Sequence, residues 1–349
     1  MGNFERRDNN MMNFKHYITC IDAHTAGEPL RIVTSGFPPI YGSTILQKRD
    51  YVLKNYDHLR KMIMLEPRGH SGMYGCIIVS AVTEDGDLGV LFTHNEGLSS
   101  MCGHGIIGVT KVAIETGMIL SKEGENVVKI DTPAGRVTAY ADVKDGKVFR
   151  VRFRNVPCFV YRENIPVDVD GIGDILVDVA YCGAFYVYLD VKKVGLEVTP
   201  ENTERLVKVG MEIKNKVMAK MEFNHPTSGV NWLYGTILFE APERKGGKLF
   251  TKNVCIFAEG QVDRSPTGTG TGGRVALHYS SGEMKREDVL VNYSIIDTPF
   301  EGRMVEETKV GEFDAVITEV SGTAHIMGFN QLVLDPEDPL PEGFRIIGS

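Results

Sequence analysis

The sequence predicts a mixed α/β (α+β) chain made of two diverged copies of one unit, and three observations carry that prediction. First, short motifs recur in order: Asp22-Ala-His-Thr-Ala-Gly27 is echoed by Asp178-Val-Ala-Tyr-Cys-Gly183, an offset of 156 residues. Tyr74-Gly75 returns as Tyr234-Gly235 at 160, Glu96-Gly97 as Glu259-Gly260 at 163, Cys102-Gly-His-Gly105 as Thr267-Gly-Thr-Gly270 at 165, and Asp131-Thr-Pro133 as Asp297-Thr-Pro299 at 166. Five matches in one order, with offsets that only rise, describe a repeat of roughly 155 residues, an ordinary domain size. Second, both copies read with the same succession of elements. Third, 349 residues with 42% hydrophobic and 24% charged content suit a globular chain with a sizeable core and two domains.

Taken in order, each copy opens with a strand, Leu30 to Val33 and Phe185 to Leu189, of β-branched and apolar residues. An amphipathic helix follows, about Thr44 to Arg60 and about Glu201 to Lys220, the latter with Leu206, Val209, Ile213 and Val217 on one face. Further strands lead to a glycine cluster, and a second helix opens directly after it. In the first copy Ile106, Ile107, Val109, Val112, Ala113 and Ile114 precede Gly117, apolar nearly all round, so this helix is expected to be central and buried. In the second copy Val275, Ala276 and Leu277 precede Gly282, and glycine is a usual helix stop. His325 to Ser349 lies beyond the repeat, a segment that could return to the first domain. The expected domains are 1–172, joined by 335–349 as a returning segment, and 173–334.

Composition narrows function. The formal charge is −8 and no Lys/Arg run forms the basic stripe that phosphate backbones require, so nucleic acid is not an expected partner. No apolar stretch approaches the ~18 residues of a membrane span. Met1 to Asn13 is polar, lacks a signal-peptide core, and has Arg6 where a myristoylation signal wants Ser or Thr. A cytoplasmic protein is expected. Six cysteines lie far apart with no CxxC pair, so neither a zinc site nor a disulfide scaffold is expected. All six read as free thiols, and Cys20, Cys76, Cys158, Cys182 and Cys255 as small buried hydrophobes.

The two glycine clusters carry the chemistry. Equivalent helix starts at Cys102 and Thr267 would meet in one cleft between pseudo-symmetric domains, where ligands commonly bind. Exposed N–H groups and the macrodipole favour an anion there, so Gly103-His104 and Gly268-Thr269 could clamp a carboxylate. The same field would lower the Cys102 thiol pKa and favour thiolate. Asp263, in Asp263-Arg-Ser-Pro266, reads equally as a turn residue, His104 as a helix cap, and His24, His70 and His225 as structural. Both clusters also satisfy GxGxxG, at Gly103, Gly105, Gly108 and at Gly268, Gly270, Gly273. The dinucleotide fingerprint needs a hydrophobic strand running into the first glycine, which neither has.

Met101-Cys-Gly-His-Gly105 together with Asp263-Arg-Ser-Pro-Thr-Gly-Thr-Gly-Thr271 resembles the paired active-site signature of the proline racemase family, and Asp22 to Pro29 and Gly328-Phe-Asn330 extend the resemblance over nearly the whole chain. It implies a diaminopimelate-epimerase-like fold, two similar domains each with a curved sheet around a central helix, and an active site between them. In the racemases of the family two cysteines face opposite sides of the substrate α-carbon. Cys102 matches the first, whereas Thr267 stands at the second, and a threonine hydroxyl does not titrate near neutral pH. This Cys/Thr pair is similar to the family's trans-3-hydroxy-L-proline dehydratases.

In that imino acid the 3-hydroxyl shares a ring face with the α-hydrogen. One thiolate could take the α-proton and deliver it to the departing hydroxide, giving an enamine that tautomerises to Δ1-pyrroline-2-carboxylate. The resemblance implies Cys102 as base and an inert Thr267. It implies the amides of Gly103, His104, Gly268 and Thr269 on the carboxylate, and Asp263 and the His104 side chain at the ring nitrogen. No metal or organic cofactor is implied, domain closure around the substrate is expected, and family homo-oligomers point to a homodimer. Alternatives at this point are a proline or hydroxyproline racemase or epimerase, a non-catalytic amino-acid-binding protein, and, more distantly, a nucleotide-binding oxidoreductase.

Overall fold

The computed structural model describes residues 14–346. The expectations about Met1 to Asn13 lie outside the described residues, as does the end of the returning segment. The first copy runs β1 (His16–Thr25), β2 (Glu28–Ser35), α1 (Ile45–Asn55), α2 (Asp57–Met64), β3 (Tyr74–Val79), β4 (Leu88–His94), β5 (Leu98–Ser99), α3 (Gly103–Glu115), β6 (Gly124–Thr132), β7 (Gly135–Lys144) and β8 (Lys147–Arg154). The second runs β9 (Cys158–Val169), β10 (Gly173–Tyr181), β11 (Phe185–Asp190), α4 (Thr203–Lys220), β12 (Leu233–Phe239), β13 (Glu243–Lys245), β14 (Lys248–Phe257), β15 (Gln261–Val262), α5 (Gly268–Ser280), β16 (Val289–Tyr293), β17 (Pro299–Val310) and β18 (Phe313–Gly322), and β19 (Ala324–Leu334) closes the chain.

The ladders show the pseudo-symmetry. In the first half β19, β1 and β2 are antiparallel neighbours, β2 is parallel to β3, β3 antiparallel to β4, β4 parallel to β6, and β6, β7 and β8 antiparallel. The second half repeats the order and every sense with β9, β10, β11, β12, β14, β16, β17 and β18. Antiparallel pairing of β8 with β18 makes the two sheets continuous. Each half therefore wraps a sheet around one helix. Eleven of the thirteen residues of α3 are buried, as the all-round apolar pattern requires, and so are ten of the thirteen of α5.

The glycines of α5 lie inside the helix rather than before it. A Cβ at Gly273 would fall 1.9 Å from the Tyr188 hydroxyl, so glycine, at a cost of about 1 kcal/mol in helix propensity, is what lets this helix sit on its sheet.

Four features differ from the sequence expectation. The ladders do not follow the boundaries 1–172 with 335–349 and 173–334. β9, placed by those bounds in the first domain, pairs with β10 of the second half, and β19 pairs with β1 along its length from Ala324, next to the end of the repeat at His325 rather than at 335. The single helix expected from Thr44 to Arg60 breaks at Tyr56, whose φ of −131° and ψ of 18° are not helical. There α2 restarts on Asp57, whose carboxylate holds Arg60 so that it donates to the carbonyls of His94 and Asn95. The glycine-led helices begin at Gly103 and Gly268, before their apolar runs. Finally, Cys158 and Cys182 are not free thiols: they form a disulfide between the start of β9 and the turn after β10, neighbours that only the folded ladder brings together. Cys20, Cys76, Cys102 and Cys255 are free and buried.

Candidate active site

The two central helices meet tip to tip. A Cβ at Gly103 would lie 2.4 Å from the Gly268 Cα, and one at Gly268 2.6 Å from the Gly103 Cα, so each tip needs glycine for the other to approach. The first turns of both helices thus face each other at the boundary of the halves, an arrangement whose free N–H groups and dipoles could hold an anion. All seven residues singled out from sequence, Cys102, Gly103, His104, Asp263, Thr267, Gly268 and Thr269, line a single buried cavity there. Neither helix follows a strand into its first glycine, since β5 ends at Ser99 and β15 at Val262.

Cys102 caps α3, accepting from the Gly105 N–H at 3.3 Å, and its sulfur lies 3.1 Å from His104 Nδ1. The His104 side chain therefore faces the thiol, while its carbonyl accepts from the Thr25 hydroxyl at 2.9 Å. Thr267 holds the matching position at α5 with a left-handed φ of 62°. Its hydroxyl donates to Asp263 Oδ2 at 2.7 Å, and Asp263 Oδ1 accepts from the Ser265 N–H at 2.8 Å. Thr269 shares a 2.7 Å hydrogen bond with the Tyr186 hydroxyl.

Electrostatics correct one expectation. The Cys102 thiol is pushed well above its ordinary pKa, because burial outweighs the Gly105 N–H and the Tyr74 hydroxyl, and the Asp263 carboxylate adds negative charge nearby. Burial also lowers the His104 pKa, against the raising influence of Asp263. In the closed site both groups are held neutral, so a thiolate formed there would be poorly solvated and strongly basic. The cavity between the helix tips is about 20 Å³, room for about one water and too little for a substrate ring.

The sequence reading did not single out the rest of the lining. Tyr74 and Tyr234 face each other, hydroxyl oxygens 3.5 Å apart, and Tyr74 also bonds Ser99 at 2.6 Å. Both are anchors of the repeat at offset 160, a signal that could have placed them. Glu28, fully buried, is the next-to-last residue of the Asp22 to Pro29 motif. Cys255 and Tyr186 line the cavity from strands whose alternation reads as ordinary core. Among the described residues no group of three or more His, Cys, Asp and Glu side chains could hold a metal ion, and no helix is long and apolar enough to cross a membrane.

Fold and site together define a two-unit α/β protein that gathers Cys102, His104, Asp263 and Glu28 around two facing helix starts between pseudo-symmetric halves. The proline racemase family model matches residues 20–345, and the chain belongs to that family. It is 46% identical over 337 residues, 96% of this chain and 100% of the other, to a trans-3-hydroxy-L-proline dehydratase of Bacillus thuringiensis subsp. konkukian. It is 40% identical to a proline racemase of Clostridioides difficile, over 95% of this chain and 99% of that one. The crystal structure of a hydroxyproline epimerase from Agrobacterium vitis, with bound trans-4-hydroxy-L-proline, superposes with a TM-score of 0.90 at 29% identity, covering 96% of this chain and 97% of that one.

Proposed function

We propose that this protein dehydrates trans-3-hydroxy-L-proline to Δ1-pyrroline-2-carboxylate and water with one catalytic base. The observation that carries the reading is Thr267. It occupies the pseudo-symmetric counterpart of Cys102, its hydroxyl is committed to Asp263 at 2.7 Å, and a threonine hydroxyl cannot exchange protons as a second base at neutral pH. The identity to a dehydratase along the whole chain supports the same choice.

In this reading the halves part to admit substrate, since the closed cavity is smaller than the ring it must hold. The carboxylate docks on the amides of Gly103, His104, Gly268 and Thr269, which stabilise the charge that builds on it as the α-proton leaves. Asp263 faces the ring nitrogen. His104 Nδ1, at 3.1 Å, takes the thiol proton, and Cys102 removes the α-proton on the face that carries the 3-hydroxyl. No step calls on a metal or an organic cofactor. A cytoplasmic homodimer belongs to the same reading, and sedimentation at micromolar concentration reads the second half of that statement. Cys102→Ala is expected to abolish water loss while Thr267→Ala keeps it with L-stereospecificity. Full turnover by Cys102→Ala would end the proposal.

A further inference from the structure

Glu28 has no part in the scheme above, yet it is fully buried and lines the same cavity as Cys102. It opens β2 after a two-residue hairpin in which Ala26 and Gly27 both take positive φ, 52° and 92°, the geometry of a tight turn that matches strand twist. Oε2 accepts from the Arg264 N–H at 2.7 Å across the boundary of the halves. Oε1 has no hydrogen-bond partner, although buried carboxyl oxygens are nearly always paired. The charged groups around it are Asp263 and Arg264, whose guanidinium lies 3.5 Å from Oε2; burial, with Asp263, outweighs Arg264 and raises its pKa, which favours the acid form. The repeat supplies an internal comparison: position 28 corresponds, at the offset of 156, to Ala184 in the second half. The carboxyl group is therefore present only in the half that carries Cys102.

We propose that Glu28 is the general acid that protonates the departing C3 hydroxyl, with its free Oε1 facing that group. The inference rests on the dehydration reading and replaces the newly formed thiol as the proton source. The α-C–H bond breaks toward Cys102 Sγ, and its electron pair becomes the double bond between the α-carbon and C3. The C3–O bond breaks, and the oxygen takes the Glu28 proton and leaves as water. The protein is left with a Cys102 thiol, the His104 imidazolium formed at the start and a Glu28 carboxylate, and it resets when the imidazolium proton passes to Glu28 through solvent once the halves open. Base and acid on one half act on one ring face, which is what a syn elimination requires.

The test compares trans-3-hydroxy-L-proline with trans-3-fluoro-L-proline, because fluoride leaves with far less help from an acid. Glu28→Gln keeps a carbonyl oxygen for the Arg264 N–H but has no acidic proton. We expect it to lose hydroxyl elimination by about 10²- to 10⁴-fold, the usual range for a general acid, and fluoride release by less than about tenfold. Formate added to Glu28→Ala should restore part of the hydroxyl elimination. Equal losses for both compounds without formate rescue, or unchanged hydroxyl elimination, would overturn the role of Glu28. Failure of the unaltered protein to release either leaving group would instead remove the dehydration reading itself.

Discussion

Replacing Gly103 by alanine tests whether the meeting of the two helix tips is what makes the site. The added Cβ would lie 2.4 Å from the Gly268 Cα and 2.9 Å from its carbonyl carbon, whereas carbon atoms pack at about 3.5–4.0 Å. Both obstacles are backbone, so no rotamer change relieves them, and the tips must part by more than about 1 Å. A displacement of that size at a reacting centre costs roughly 10²-fold in rate, equivalent to about 2.7 kcal/mol of barrier. Each helix remains enclosed in its own half, and alanine is a better helix former than glycine by about 1 kcal/mol, so folding should survive. The assay is steady-state dehydration alongside thermal unfolding. Gly117→Ala serves as the comparator, because nothing lies within 4 Å of its Cβ although φ is +75°, so it should lower stability and leave kcat/KM alone. A folded Gly103→Ala protein with kcat/KM within threefold of the unaltered chain would refute the reasoning.

Other expectations follow from the same geometry. Thr267→Cys places a second thiol opposite Cys102 and should introduce slow racemisation of L-proline, followed by loss of optical rotation; unchanged rotation with dehydration intact would count against two-faced access. Burial pushes the pKa of His94 down to about 3 from an ordinary 6.5, so the fold favours neutral imidazole. Because the folded-state pKa is depressed, this stability is fully present above pH 6.5 and erodes as pH falls toward 3. Between pH 7 and pH 5 the loss should be about 2 kcal/mol, absent in His94→Asn, and urea unfolding at the two pH values reads the difference.

The repeat was legible because its anchors are residues under backbone or site constraint, such as Tyr74-Gly75 with Tyr234-Gly235 and the two glycine-led helix starts. The amphipathic period of Leu206, Ile213 and Val217 and the apolar run of α3 located those helices for the same physical reason: burial imposes the pattern. What escaped depends on distant parts of the chain. The boundary before β9 and the start of β19's return to the first half are decided by pairing across the repeat, which no local motif encodes. The Cys158–Cys182 bond joins residues 24 positions apart that read as ordinary core. The acidity of Cys102 was misread because a helix start suggests an exposed positive field, whereas closure of the halves removes the water that would solvate a thiolate. Glu28 was visible within the Asp22 to Pro29 motif, but its free oxygen became evident only with its surroundings.

The central claim is that a site with a thiol at one helix start, Cys102, and a committed threonine at the other eliminates water rather than inverting a stereocentre. Proton NMR in D₂O of the purified protein with trans-3-hydroxy-L-proline, with trans-4- and cis-4-hydroxyproline and L-proline in parallel, addresses it directly. The account predicts conversion of the trans-3 compound to Δ1-pyrroline-2-carboxylate with the three controls unepimerised. Exchange of the α-proton with accumulation of the epimer and no loss of water would contradict it and make the protein an epimerase.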